Sequence, residues 1–114
     1  KAIYQCKNVL NMEDTFDLIT LFGSTDYISP ALFASSIEKI ITSANKEILI
    51  VNSLRKIKFE DTLNFTTAKE ITRYDTGYVQ PINYVLKSLN NKYAFTYEIK
   101  SFGLDSSLTI IKIN

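Results

Sequence analysis

Between residues 78 and 113 the apolar positions hold one period and then switch to another. Ile82, Val85, Leu86 and Leu89 fall at i, i+3, i+4 and i+7, which places four apolar side chains on one helical face. Pro81 suits the first turn of a helix, where its missing N–H costs nothing, and Asp75, Thr76 and Gly77 provide a turn just upstream. A helix is therefore predicted from about Gln80 to Asn90-Asn91, where short polar side chains compete for backbone hydrogen bonds and asparagine tolerates the left-handed conformation that closes a helix. From Tyr93 the period drops to two. Tyr93, Phe95, Tyr97 and Ile99 alternate with Ala94, Thr96, Glu98 and Lys100, the mark of a half-buried strand. Ser101 to Ser107 connects it to a second strand, Leu108 to Ile113, so this stretch reads as a helix laid on a hairpin.

Upstream the signals are shorter. Lys1 to Leu10 alternates weakly, as an edge strand or an arm. Asn11, Glu13 and Asp14 suit the start of a short helix to Phe22, with Met12, Phe16 and Ile19 on one face; Phe16, Leu18 and Phe22 also share strand parity, and the reading stays open between the two. Gly23 to Ile28 is a polar linker. Ser29-Pro30 starts a helix, with serine as cap and proline at the first helical position, and Phe33, Ile37, Ile40, Ile41 and Ala44 hold helical spacing to about Asn45. Glu47 to Val51 (EILIV) is rich in β-branched residues and reads as a buried strand. Beyond the basic Arg55-Lys56-Ile57-Lys58, the shared parity of Ile57, Phe59, Leu63, Phe65 and Thr67 predicts a longer strand. Glu60-Asp61 interrupts it as a turn or bulge, Ala68 to Ile71 extends it, and Arg73 to Gly77 is the loop into the second helix. The fold class expected is α+β, with two helices packed between small mixed sheets, residues 1–28 as an N-terminal extension and residues 29–114 as the domain.

A chain of 114 residues is the size of one domain, and 46% hydrophobic with 22% charged residues is an ordinary globular balance. Thirteen basic against twelve acidic side chains leave a net charge of +1, which gives no footprint for nucleic acid or an anionic membrane. With no histidine and one cysteine, Cys6, the usual zinc sites and Ser-His or Cys-His catalysis are excluded. No run of about 18 apolar residues is present to span a bilayer. The start KAIYQCKNVL lacks signal-peptide regions, and a first residue Lys rather than Met is consistent with a processed or truncated form.

Few residues invite a chemical reading. Ser36-Ile37-Glu38-Lys39 matches the S-x-x-K of serine acyl-enzymes, but without an S-D-N or K-T-G companion it reads as a helix edge. Glu60-Asp61 and Glu13-Asp14-Asp17 read as solvated turns and caps rather than cation ligands. Tyr93, Phe95 and Tyr97 share parity with Ile99 and lack interleaved basic residues, which favours core packing over base stacking. Asn64-Phe65-Thr66 fits a glycosylation sequon inside a predicted strand, Cys6 has no base to activate it, and Arg55, Lys56 and Lys58 read as a solvated strand entrance. No catalytic, cofactor-binding or metal-ligating residue is assigned, and a non-enzymatic role is expected.

The pattern of INYVLKSLNNKYAFTYEI closing with LTIIKI resembles the short N-terminal domain of secretins and TonB-dependent transducers. Ile82, Val85, Leu86 and Leu89 take the helix positions, Phe95, Tyr97 and Ile99 the first strand, and Leu108, Ile110, Ile111 and Ile113 the last. Asn90-Asn91 stands where the family's helix commonly ends in glycine, and the Lys100–Ser107 hairpin is longer than usual. A domain of this size with an N-terminal extension is similar to accessory proteins of toxin-coregulated and bundle-forming pili and of the Dot/Icm outer-membrane lipoprotein type. The resemblance implies a non-enzymatic interaction domain of a bacterial secretion or type IV pilus assembly. It would bind a secretin-type outer-membrane ring in the periplasm or at the inner face of the outer membrane of a Gram-negative bacterium, without any cofactor, with a membrane tether supplied by a removed or upstream lipidation signal. The alternative is a small α+β nucleic-acid-binding module. Docking is expected by strand addition at the last strand, Leu108, Thr109, Ile110, Ile111, Lys112 and Ile113, with Leu108 and Ile110 anchored on the core and Thr109 and Lys112 outward. Ala2 to Val9 is the second candidate edge.

Overall fold

The apolar runs FDLITLF and EILIV lie side by side, parallel, and the first helix is the crossover between them. A computed structural model describes residues 13–72 and 76–114. In chain order the elements are β1 (Phe16–Phe22), a 3-10 turn (Ser24–Tyr27), α1 (Pro30–Ser43), β2 (Ala44–Ser53), α2 (Phe59–Thr62), β3 (Lys69–Thr72), β4 (Thr76–Val79), α3 (Ile82–Leu89), β5 (Phe95–Phe102) and β6 (Ser106–Ile113). The main sheet has the order β1-β2-β6-β5, with β1 and β2 parallel and β6 antiparallel to both of its neighbours. Strands β3 and β4 form a separate two-stranded antiparallel ribbon.

One side of the main sheet carries the core. Ile48 and Ile50 of β2 register with Ile111 and Thr109 of β6, and α1 and α3 cover them with Phe33, Ile37, Ile40, Ile41, Ile82, Val85 and Leu86. The helix phases follow the sequence: Ile82, Val85 and Leu86 are buried, with Leu89 packed against their cluster. α1 begins at Pro30 as expected, although Ser29 makes no side-chain cap. It ends without a loop, since Ala44 turns to extended backbone and opens β2. Asn90 keeps right-handed helical backbone; with its amide turned so that NH2 meets the carbonyls of Tyr93 and Phe95, the side chain closes the turn in place of a left-handed residue.

Several expectations are corrected. The main sheet is single and mixed, with both long helices on one side, rather than helices lying between two sheets. The strand expected from Ile57 to Thr67 is the short helix α2, whose first turn holds Glu60 and Asp61 and whose Thr62 hydroxyl donates to the Phe59 carbonyl at 2.6 Å. Carboxylates at a helix N-terminus meet unpaired N–H groups, so the residues read as a strand interruption are a helix start. Part of the expected loop before the second helix is strand β4. Residues 16–28, set apart in the sequence as extension, supply the strand beside β2 and the turn that follows it. Ala2 to Val9 and Cys6 lie outside the described residues.

The last strand is corrected twice. β6 is paired on both sides, with β2 and with β5, so Leu108 to Ile113 presents no free ladder for an added strand. Its parity is also the reverse of that expected: Thr109 and Ile111 face the helices with no exposure, while Leu108 and Ile110 point to the other side. Both sides of this strand are apolar enough to be buried, so its own sequence does not choose the side, and the helices do.

Candidate functional site

Strand β1 ends at Phe22, and Gly23 turns the chain with φ 78°, a left-handed conformation that glycine adopts without Cβ strain. Its N–H donates to the Val51 carbonyl at 2.9 Å, tying the exit of β1 to β2. The 3-10 turn then folds back and buries Thr25 and Asp26. The Asp26 carboxylate accepts from the Ser53 N–H at 3.2 and 3.3 Å and from the Asn52 amide at 3.3 Å. The same Asn52 amide donates to the Thr25 hydroxyl. From β4's end, Gln80 donates to the carbonyls of Thr25 at 3.1 Å and Ile28 at 2.8 Å. Gly77 of β4 comes so close that a Cβ there would sit 3.3 Å from the Asp26 carbonyl oxygen and 3.7 Å from the Tyr27 ring.

Four polar residues thus converge where the parallel strands β1 and β2 end. Burial pushes the Asp26 carboxyl above its ordinary value, against the opposing pull of the Ser53 and Asn52 hydrogen bonds and the Arg55 charge. A carboxylate so placed is a stronger proton acceptor than one in water. Two further acceptors, Asn52 Oδ1 and Gln80 Oε1, are buried without a partner. Unpaired buried acceptors are costly, and at the carboxyl end of parallel strands they match a ligand that brings hydrogen-bond donors or positive charge.

The residues singled out in the sequence do not gather here. Ser36 is buried in α1. Glu60, Asp61, Arg55, Lys56 and Lys58 are exposed around α2 and its approach. Glu38 binds Lys92 and Tyr93 at 2.8 Å, joining α1 to the turn after α3. Among the described residues no group of histidine, cysteine and carboxylates is placed to hold a metal ion, and none of the helices is long and apolar enough to cross a membrane. A shallow hollow of about 220 Å³ lined by Thr96, Tyr97, Glu98, Ile110 and Lys112 lies toward the opposite end of the sheet from Asp26. Thr25 and Asp26 read as linker in the sequence, and Asn52 and Gln80 as flanks of regular elements. The signal available was a pair of apolar runs each ending in polar residues, FDLITLF before GSTD and EILIV before NS.

No family model matches the chain. No curated protein matches it either. Solved structures do. The DhpI–SAM–HEP complex aligns with a TM-score of 0.62 at 8% identity, over 94% of this chain and 56% of that one. Magnesium protoporphyrin IX methyltransferase from Synechocystis PCC 6803 aligns with bound SAM at a TM-score of 0.55 and 8% identity, over 95% of this chain and 44% of that one. With bound SAH the same enzyme gives 0.56 and 10%, over 95% and 49%. The chain spans about half the length of the solved structures it matches. At these identities the likeness is one of fold.

That fold overturns the secretin resemblance and with it the expected role as a non-enzymatic envelope interaction domain, because the solved neighbours are SAM- or SAH-bound structures, methyltransferases among them. A helix followed by two strands of alternating apolar residues is a local pattern. It recurs in unrelated folds and does not encode strand order.

Proposed function

We propose that this chain forms part of an S-adenosylmethionine-dependent methyltransferase, with its ligand edge at the carboxyl ends of β1 and β2. The observation that carries the reading is the buried group Thr25, Asp26, Asn52 and Gln80 at that edge, with two acceptors unpaired, in a fold like those of SAM-bound structures. Open α/β sheets bind ligands in the crevice outside the carboxyl ends of their strands. The residues present fit the group: S-adenosylmethionine carries an ammonium, two ribose hydroxyls and a sulfonium, and this edge offers a carboxylate and amide oxygens. Bound there, it would supply an electrophilic methyl group. The chain's own contribution is to orient and to hold charge. Asp26, fixed by the Ser53 N–H and the Asn52 amide, accepts hydrogen bonds or a proton, and Gln80 pins the turn that carries it.

Titrating the protein with S-adenosylmethionine under thermal denaturation tests the reading. A ligand present at about 100 times its dissociation constant adds about 2.7 kcal/mol of stability, so the melting temperature is expected to rise and Asp26→Ala to lose most of the rise. An unchanged melting temperature at millimolar S-adenosylmethionine, with no transfer of labelled methyl to any acceptor offered, would sink the proposal.

A further inference from the structure

Among the described residues Arg55 is the one non-glycine whose backbone lies in the left-handed region, with φ 53°. A side chain there carries a Cβ penalty that glycine avoids, so local preference does not put arginine at this point. The turn that holds it is well anchored. Leu54 is buried, and its N–H donates to the Asp105 carbonyl at 2.7 Å, which ties the turn to the β5–β6 hairpin. The Ile57 N–H then closes the turn on the Leu54 carbonyl at 3.0 Å. Two positions before Arg55, the Ser53 N–H donates to the Asp26 carboxylate. Arg55 therefore stands at the rim of the buried group of Thr25, Asp26, Asn52 and Gln80, exposed and in no ion pair among the described residues. Burial raises the Asp26 carboxyl, and after the Ser53 and Asn52 hydrogen bonds it is the Arg55 charge that draws it back, so the guanidinium is within electrostatic reach of that carboxylate.

Charge decides what such a rim can take. S-adenosylmethionine carries a sulfonium and an ammonium against a single carboxylate, so it brings net positive charge to an edge where Asp26 and Arg55 already offset each other. Surplus charge in a site closed to water is costly, and an anion on the second ligand removes the surplus. The guanidinium suits that task, because its rigid fork matches the paired oxygens of a carboxylate or a phosphate. Strained non-glycine residues cluster at binding sites, where the surrounding structure holds them in place. We propose that Arg55 recognises an anionic group, carboxylate or phosphate, on the molecule to be methylated. This rests on the proposed methyltransferase function and adds to it the class of acceptor.

The test is a titration of the intact protein, loaded with S-adenosylmethionine, with benzoate, phenyl phosphate and the uncharged benzyl alcohol, followed by nuclear magnetic resonance of the amides of residues 53–57. The two anions are expected to shift these signals and benzyl alcohol to leave them in place, and the tighter anion names the group. Arg55→Gln is expected to weaken anion binding about 10-fold and to leave the affinity for S-adenosylmethionine unchanged. Lys56→Gln, at the next exposed position, is expected to leave both nearly unchanged. Arg55→Gly separates recognition from folding: relief of the left-handed strain is expected to raise the melting temperature by about 4 °C while anion binding falls as in Arg55→Gln. Anion binding that survives Arg55→Gln overturns the proposal. So does an equal loss in Lys56→Gln, which assigns the anions to a diffuse basic surface, and so does weakened S-adenosylmethionine binding in Arg55→Gln with anion binding intact, which assigns the guanidinium to the cofactor's own carboxylate. A protein that binds the anions through Arg55 and does not bind S-adenosylmethionine sinks the proposed function and keeps the anion site.

Discussion

At the scale of single residues, buried polar atoms divide into those that are used and those that are not. Thr109 has no exposure and its hydroxyl has no partner, between Ile50 of β2 and Ile99 of β5. Valine keeps the shape and drops the unsatisfied group, so Thr109→Val is expected to raise stability by about 1 kcal/mol in urea denaturation. Charge behaves in two opposed ways. The Lys92 and Tyr93 hydrogen bonds hold the Glu38 carboxyl below its ordinary value, so its contribution is present above the ordinary glutamate range and lost as pH falls through the lowered value. Asp26 is raised by burial, and its penalty grows as pH climbs from the ordinary aspartate value to the raised one. Glu38→Gln is expected to lower the urea midpoint at about pH 7, with the difference from the parent shrinking as pH falls below the ordinary glutamate value and through the lowered one. A constant difference across that range would assign the Glu38 contact no charge component. None of this was legible in the sequence, because Glu38 lies 54 positions from Lys92 and Thr109 looked like the outward member of an alternating strand.

At the scale of elements, the helices were readable and the punctuation between them only partly so. The phases of α1 and α3 rest on a 3.6-residue period that belongs to one segment and needs no partner. The segment from Ile57 to Thr67 has strand parity by coincidence, and four residues with two carboxylates in the first turn were enough to make it helix. Gly23 is the hinge that matters for the site. At φ 78° with open space around the missing Cβ, Gly23→Ala meets no clash and carries only the left-handed penalty. The expected loss is about 1 kcal/mol in thermal denaturation, with the turn at Asp26 loosened. A larger loss would mean that the turn repacks.

At the scale of the whole molecule, β6 is the strand on which the sheet closes. It pairs with β2 over Glu47 to Ser53 and with β5 over Phe95 to Phe102, and Ile111 has no exposure. Ile111→Pro removes a ladder N–H from a strand paired on both sides and is expected to cost about 3 kcal/mol or more, unfolding the chain by circular dichroism. A folded Ile111→Pro protein would show that one of the two ladders is dispensable. The site depends on the same scale, for Gln80 reaches Thr25 across 55 positions and Asn52 reaches it across 27.

The sequence by itself determined the helical faces of Phe33 to Ile41 and Ile82 to Leu89, the Pro30 start, the period-two strand through Phe95, Tyr97 and Ile99, though not its first residue, and the small α+β class, because each follows from geometry within one segment. Tertiary structure decided the rest. The parallel pairing of β1 with β2, the central place of β6 and the side on which the helices lie are choices among strands that are apolar on both faces, so no strand's own pattern selects them. The meeting of Asp26, Asn52 and Gln80 follows from those choices, since polar residues at the ends of separate elements become a site only when the sheet brings the ends together.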